Sequence, residues 1–259
     1  MRLCNLIEND SILVNLIGGI KVNVVFVNGS YHGDWYFDKV IQLLKYKNIN
    51  ALAIKPPEFS SYNHTITMDN YLNNMYEQIK DMNEIILVGH SSGGQIITNY
   101  AIIHPNNIKK LVYVSGTLLP EGYCNMDIPR SEREHPVVPK VRIQGNYKMY
   151  EHNTKEEKIL IKNYFYNCCT KKEAEDAIDK LLPQSLDILK YKNRGKVNED
   201  IERYYIKCMK DQVMFPTVQQ KMIDLVPCKK VYSLKDSDHV PFLSQPNELV
   251  DILIKIIYE

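Results

Sequence analysis

Apolar and polar positions along this chain follow two alternating rhythms. Near-continuous apolar runs over Lys21 to Asn28, Ala51 to Ile54, Ile85 to His90 and Leu111 to Ser115 predict buried strands. Between them, Tyr36 to Lys47, Met68 to Met82 and Gln95 to His104 carry apolar residues at helical spacing. Strand, helix, strand, helix in that order predicts an α/β fold with a doubly wound, mostly parallel sheet. The rhythm breaks between Leu118 and Glu202, where Pro129, Pro136 and Pro139 punctuate a mixed polar segment ahead of two helical patterns, Thr154 to Asn167 and Lys171 to Leu182. The second opens with Thr170 as N-cap and Glu173 three residues later, a capping box. It resumes with a strand at Tyr204 to Cys208, a helix at Thr217 to Leu225, a strand at Lys230 to Leu234 and a last helix at Asn247 to Tyr258. The expected organisation is a core in two parts, residues 1–117 and 201–259, with an inserted, mainly helical cap at 118–200.

Composition narrows the class. With 259 residues, 44% of them hydrophobic, the chain can build one large core, and its formal net charge of +1 gives no electrostatic case for nucleic acid. Lys and Arg are interspersed with Asp and Glu, and no apolar run is long enough to span a bilayer. Met1 to Gly19 is partly apolar but interrupted by Glu8 and Asp10, so it reads as an extra strand or arm and not as a signal peptide; a cytoplasmic location is expected. The six cysteines (Cys4, Cys124, Cys168, Cys169, Cys208 and Cys228) show no metal-ligand spacing and are expected as free, buried thiols. His32, His64, His90, His104, His135 and His152 lack acidic or thiol partners at such spacing, so neither a metal nor a cofactor is expected.

Candidate chemistry centres on Gly89-His90-Ser91-Ser92-Gly93. The G-x-S-x-G spacing between an apolar run and a helical pattern predicts a nucleophile elbow, a strained strand-to-helix turn that presents Ser91. A serine hydroxyl is a weak nucleophile at neutral pH and requires a histidine base oriented by a carboxylate. Asp211 lies just past the strand that ends at Cys208, and His239 lies on the loop after Lys230 to Leu234. All three candidates fall at carboxyl ends of strands, where chemistry gathers in open α/β sheets, and in the chain order Ser, Asp, His. Asp34, Asp236 and Asp238 are competing carboxylates, the last two because they flank His239. His90, beside the nucleophile, points in another direction on the elbow and is read as structural.

Four segments in this order resemble the α/β-hydrolases, and within them the group of plant methylesterases, hydroxynitrile lyases and bacterial esterases: Val25 to Trp35, Val88 to Gly94, Cys208 to Asp211, and Asp238 to Pro246. The resemblance implies Ser91 as nucleophile, His239 as general base and acid, Asp211 as the group that holds the imidazole tautomer, and the backbone N–H groups of Ser30 and Ser92 as oxyanion hole. Such a hole suits the start of a helix, where N–H groups are unpaired, and a glycine turn that lets the backbone approach. Asn28 departs from the pattern, standing where the family usually has His. Lyase members resemble one another in a Thr at the place of Gly29 and a Lys at the place of Val240. Without that Lys no cation is at hand for cyanide, and Gly29 is expected to leave room for an ester alcohol. Trp35 is expected to support the oxyanion turn.

The expected function is carboxylesterase-type hydrolysis of a small or medium ester or thioester through an acyl-enzyme. Alternatives on the same fold are acyl transfer or product release in a biosynthetic pathway, lyase-type C–C cleavage, and a slow-turnover ligand-binding protein. Tyr164 and Phe165 of the cap, with His32, Gly29 and Val240, are candidates to contact the substrate. The expected partner is a small-molecule ester, and a homodimer is compatible with this reading.

Overall fold

The computed structural model describes residues 22–129 and 137–259. The arm expected over Met1 to Gly19, together with Cys4, His135 and Pro136, lies outside them. The first half of the core runs β1 (Asn23–Val27), a 3-10 turn (Asp34–Phe37), α1 (Asp38–Tyr46), β2 (Asn50–Ala53), α2 (Met68–Ile79), β3 (Ile85–His90), α3 (Gly93–Ile103) and β4 (Ile108–Val114). The insertion carries β5 (Val141–Gln144), β6 (Tyr147–Tyr150), α4 (Lys155–Phe165), α5 (Lys171–Ile178), β7 (Gln184–Ser185) and α6 (Leu186–Lys190). The core closes with β8 (Glu202–Cys208), α7 (Pro216–Leu225), β9 (Lys230–Leu234), α8 (Pro241–Ser244) and α9 (Pro246–Tyr258).

Six strands form the central sheet in the order β2-β1-β3-β4-β8-β9, and every neighbouring pair is parallel. Alternate residues of each strand serve opposite faces. Val24, Phe26, Val88, Val112, Tyr204 and Ile206 join the helices α1 and α9 in one apolar layer. Val25, Val27, Leu87, Leu111, Tyr113 and Tyr205 join α2, α3 and α7 in the other. α3 is buried over most of its surface, which is why it lacks a polar stripe. Among the described residues no helix is long and apolar enough to cross a membrane.

The chain leaves β1 toward β2 on one side, while β3 and the strands after it lie on the other. That reversal opens a crevice at the carboxyl ends of β1 and β3, the usual ligand position in a doubly wound sheet. Ser30 follows the first of these strands and Ser91 the second.

The inserted segment differs from its sequence pattern. Both expected helices are present, each behind a capping box: Thr154 Oγ1 accepts from Glu157 N at 3.1 Å, and Thr170 Oγ1 accepts from Glu173 N at 3.3 Å. The segment also holds an antiparallel three-stranded sheet, β5-β6-β7, that its helical patterns do not announce. Its strands have four, four and two residues, too short for a period-2 pattern to stand out against helical spacing.

Candidate active site

Ser91 sits between β3 and α3 with φ +51°, a left-handed conformation that L residues adopt at a cost. The turn closes tightly: a Cβ at Gly89 would stand 2.7 Å from the Gly93 carbonyl oxygen, and one at Gly93 would stand 2.5 Å from the Val27 oxygen. Ser91 O accepts from Gly94 N at 3.0 Å and from Thr117 N at 2.8 Å, which ties the elbow to the end of β4. Two more non-glycine residues with positive φ flank it, Tyr31 at 67° and Ser115 at 40°. Three of the five non-glycine residues with positive φ among the described residues thus stand at the carboxyl end of the sheet, while Asn48 and Glu84 precede β2 and β3 at the other end.

Asp211 and His239 meet there. The His239 Nδ1–H donates to Asp211 Oδ2 at 2.7 Å, with both side chains buried. Asp211 Oδ2 also accepts from Ser115 Oγ, while Oδ1 accepts from Val213 N at 2.7 Å and Met214 N at 2.8 Å. Four donors therefore satisfy a fully buried carboxylate. The loop is clamped by Gln219 of α7, whose Oε1 accepts from Cys208 N at 3.1 Å and whose Nε2 donates to Cys208 O at 3.0 Å and Met214 O at 2.7 Å. Of the rival carboxylates, Asp236 pairs with Lys210 on the surface at 2.6 Å. Asp238 accepts from Val240 N at 3.0 Å, Ser244 Oγ at 2.7 Å and Cys168 N at 2.9 Å, so it fastens the His239 loop to the inserted segment. Burial raises its pKa above the usual carboxylate value.

His90 links these parts. Its Nε2–H donates to the His239 carbonyl at 2.7 Å, so Nδ1 of the neutral ring accepts from the Tyr36 hydroxyl at 2.9 Å. That hydroxyl in turn accepts from Gly29 N at 3.0 Å. Burial, and next the proximity of His239 and His32, hold the His90 pKa well below 6.5, so the ring stays uncharged in this chain of bonds. One relay thus connects the turn after β1, the elbow and the histidine loop. The His239 ring lies 4.7 Å from the His90 ring, centroid to centroid, although Ser91 Oγ and His239 are not directly hydrogen-bonded. In free enzymes this bond is often long and tightens once substrate is bound.

Ser30 and Ser92 approach each other across the crevice, their hydroxyls 2.9 Å apart. Asn28 holds the turn: its Nδ2 donates to Gly29 O at 3.0 Å and to His32 O at 2.7 Å, and its Oδ1 accepts from the Tyr71 hydroxyl at 2.6 Å. The departure from histidine at this position is explained by that fastening. A Cβ at Gly29 would stand 2.6 Å from Ser91 Cβ, so the missing side chain permits the turn to touch the elbow.

Ser30, Tyr31, Ser91 and Ser92 line a cavity of about 660 Å³, together with Lys148, Tyr150, Tyr164 and Phe165 of the insertion and Val213, Met214, Phe215 and Val218 after β8. Burial, and next the Asp211 charge, push the Tyr164 hydroxyl up to about 12. Phe165 reaches His239, the two rings 5.8 Å apart. Gly29, His32 and Val240 are not among the lining residues. Val240 is fully buried, and His32 belongs to a neighbouring cavity on the far side of Tyr31, with both ring nitrogens engaged. Its Nδ1–H donates to Ser30 O at 2.8 Å and its Nε2 accepts from the Tyr166 hydroxyl at 2.7 Å. His32 and Val240 therefore lie outside the lining of the cavity that holds Ser91. Trp35 packs beside them, its ring 6.1 Å from His32 and 5.7 Å from Tyr36.

Buried His32 has a measurable consequence. Burial lowers its pKa from 6.5 to about 4, so the unfolded chain takes up the proton first as pH falls. The stability gained from keeping the ring neutral is complete above pH 6.5 and is lost as pH falls from 6.5 toward 4, by about 3 kcal/mol. His90 adds to the loss in the same direction. Urea unfolding across this window should show a steeper decline for the wild type than for His32→Phe. Equal slopes would contradict the assignment.

A family model described as Alpha/beta hydrolase family matches residues 24–252. The chain belongs to the alpha/beta hydrolase family. The relatives that this hydrolase-family chain resembles include methylesterases and a pheophorbidase. "Putative methylesterase 13, chloroplastic" of Arabidopsis thaliana is 27% identical over 265 residues, covering 95% of this chain and 59% of that protein. The chain thus spans less than two thirds of the length of that relative. Pheophorbidase of Raphanus sativus is 25% identical over 248 residues, covering 91% of this chain and 94% of the relative. Among solved structures, a pyrethroid hydrolase from Sphingobium faniae JZ-2 has the same fold, with a TM-score of 0.79 at 19% identity over 92% of this chain and 97% of that one.

Proposed function

We propose that this alpha/beta hydrolase is a serine esterase acting on small or medium carboxylic esters, with Ser91, His239 and Asp211 as its triad and residues 118–200 as a cap over the site. The observation that carries the reading is the buried His239 to Asp211 bond of 2.7 Å beside a serine held at φ +51° in a cavity. His239 Nε2 takes the proton from Ser91 Oγ as that oxygen attacks the ester carbonyl. The N–H groups of Ser30 and Ser92 stabilise the negative oxygen of the tetrahedral intermediate, each such donor contributing about 3 kcal/mol. His239 returns the proton to the departing alkoxide, and water then enters by the same route to release the acid and free Ser91. The esterase names of the relatives support this class of chemistry.

The test is pre-steady-state hydrolysis of p-nitrophenyl esters of increasing acyl length, with sites counted by a fluorophosphonate. A burst of p-nitrophenol equal to the labelled Ser91 is expected. Protein that takes no label at Ser91 and turns over no ester would refute the assignment.

A further inference from the structure

Among the described residues, one cation, Lys148, lines the cavity that holds Ser91. Side chains of β6 alternate between two faces. Tyr147 and Met149 turn away, Tyr147 accepting from Ile66 N at 2.9 Å and Met149 Sδ accepting from the Tyr62 hydroxyl at 3.4 Å. Lys148 and Tyr150 turn the other way and line the cavity. The other described walls contribute aromatic and aliphatic side chains, among them Tyr31, Tyr164, Phe165, Phe215, Leu189 and Val218, with small polar groups and no Asp or Glu. Lys148 has no ion-pair partner among the described residues, whereas the nearby Lys140 meets Glu151 at 2.6 Å. Partial withdrawal of an ammonium group from water without a counter-ion is unfavourable, and burial lowers the Lys148 pKa accordingly. A ligand that supplies one negative charge offsets that penalty. Apolar and aromatic walls, the Lys148 ammonium group and the hydroxyls of Tyr150 and Tyr164 suit an apolar chain ending in a carboxylate.

We propose that Lys148 is a specificity-determining residue and that the substrate is an ester that also carries an ionised carboxylate, held by Lys148 while the ester carbonyl meets Ser91. This inference rests on the esterase reading. Because Lys148 and Ser91 stand at set positions in one chamber, the distance between carboxylate and ester carbonyl is selected together with the charge.

Two substrate series test it. Monomethyl esters of straight-chain dicarboxylic acids place the carboxylate on the acid side, and acetoxy-carboxylates place it on the alcohol side; each is compared with its uncharged methyl ester. One charged series should be preferred over its uncharged counterpart, with an optimum chain length. Lys148→Met should lower that preference ratio at least about tenfold, mainly through KM, and Lys148→Arg should keep most of it. If neither charged series is preferred, or if the preference survives in Lys148→Met, the proposal is overturned. A protein that hydrolyses uncharged p-nitrophenyl esters through Ser91 but ignores the carboxylate fails this inference alone. One with no Ser91-dependent turnover fails the esterase reading and this inference with it.

Discussion

Replacement of Ser91 by Ala should lower kcat for any ester by about 10⁶-fold, because the nucleophilic hydroxyl of the triad is lost while the rest of the site remains. Residual hydrolysis at about 10³ to 10⁴ times the rate in water is expected from the oxyanion donors and substrate binding. Alanine and serine face the same backbone strain at φ +51°, so the thermal midpoint should change little. Steady-state turnover, with fluorophosphonate labelling as the site count, measures the effect. A variant that keeps more than about one hundredth of wild-type kcat would remove Ser91 from the nucleophile role.

Asp211→Asn should be the second large loss, about 10⁴-fold in kcat. The surroundings dictate how the amide must sit. The side toward Val213 N and Met214 N offers two donors, at 2.7 and 2.8 Å, and therefore keeps the oxygen. The NH₂ group is left facing His239 Nδ1, where it can only donate. Nδ1 must then become the acceptor, so the imidazole carries its proton on Nε2, where it cannot accept one from Ser91. Kinetics of Asp211→Asn beside Asp236→Asn provide the check, since Asp236 is exposed and paired only with Lys210. Near-normal turnover in Asp211→Asn, or an equal loss in both variants, would move the orienting role away from Asp211.

Much of the fold is legible in the amino-acid sequence. Each central strand is an apolar run whose neighbours are helices, and the observed β3, α3 and β9 keep close to their expected bounds. Errors at element ends are local. β4 begins at Ile108, ahead of the expected Leu111, because Lys109 and Lys110 interrupt the apolar run although their backbone still extends beside β3. The small sheet of the insertion is hidden for another reason: β7 is two residues long and is a strand through its pairing of Ser185 with Tyr147 and Gln184 with Lys148.

In the site, the elbow is readable because steric demands at Gly89 and Gly93 act between residues close in sequence. The relay through Tyr36 and His90 is not. Nothing near His90 in the chain announces that its Nε2–H will meet a carbonyl 149 residues away. A weak signal exists for Gln219, a polar residue on the buried side of α7, since a buried amide must find partners. Lys148 has none beyond its alternation with Tyr147 and Met149 in a strand too short to recognise.

By itself, then, the sequence determined the sheet, its helices and the turn that presents Ser91, because periodic burial and backbone sterics are written over a few neighbouring residues. Only the tertiary structure brought Asp211, and neither Asp236 nor Asp238, against His239 Nδ1, packed Gly29 onto the elbow, engaged both ring nitrogens of His32, and brought Lys148 into the cavity with Ser91. Those outcomes depend on distances between residues far apart in the chain, and such distances exist only once strands have paired and the insertion has packed.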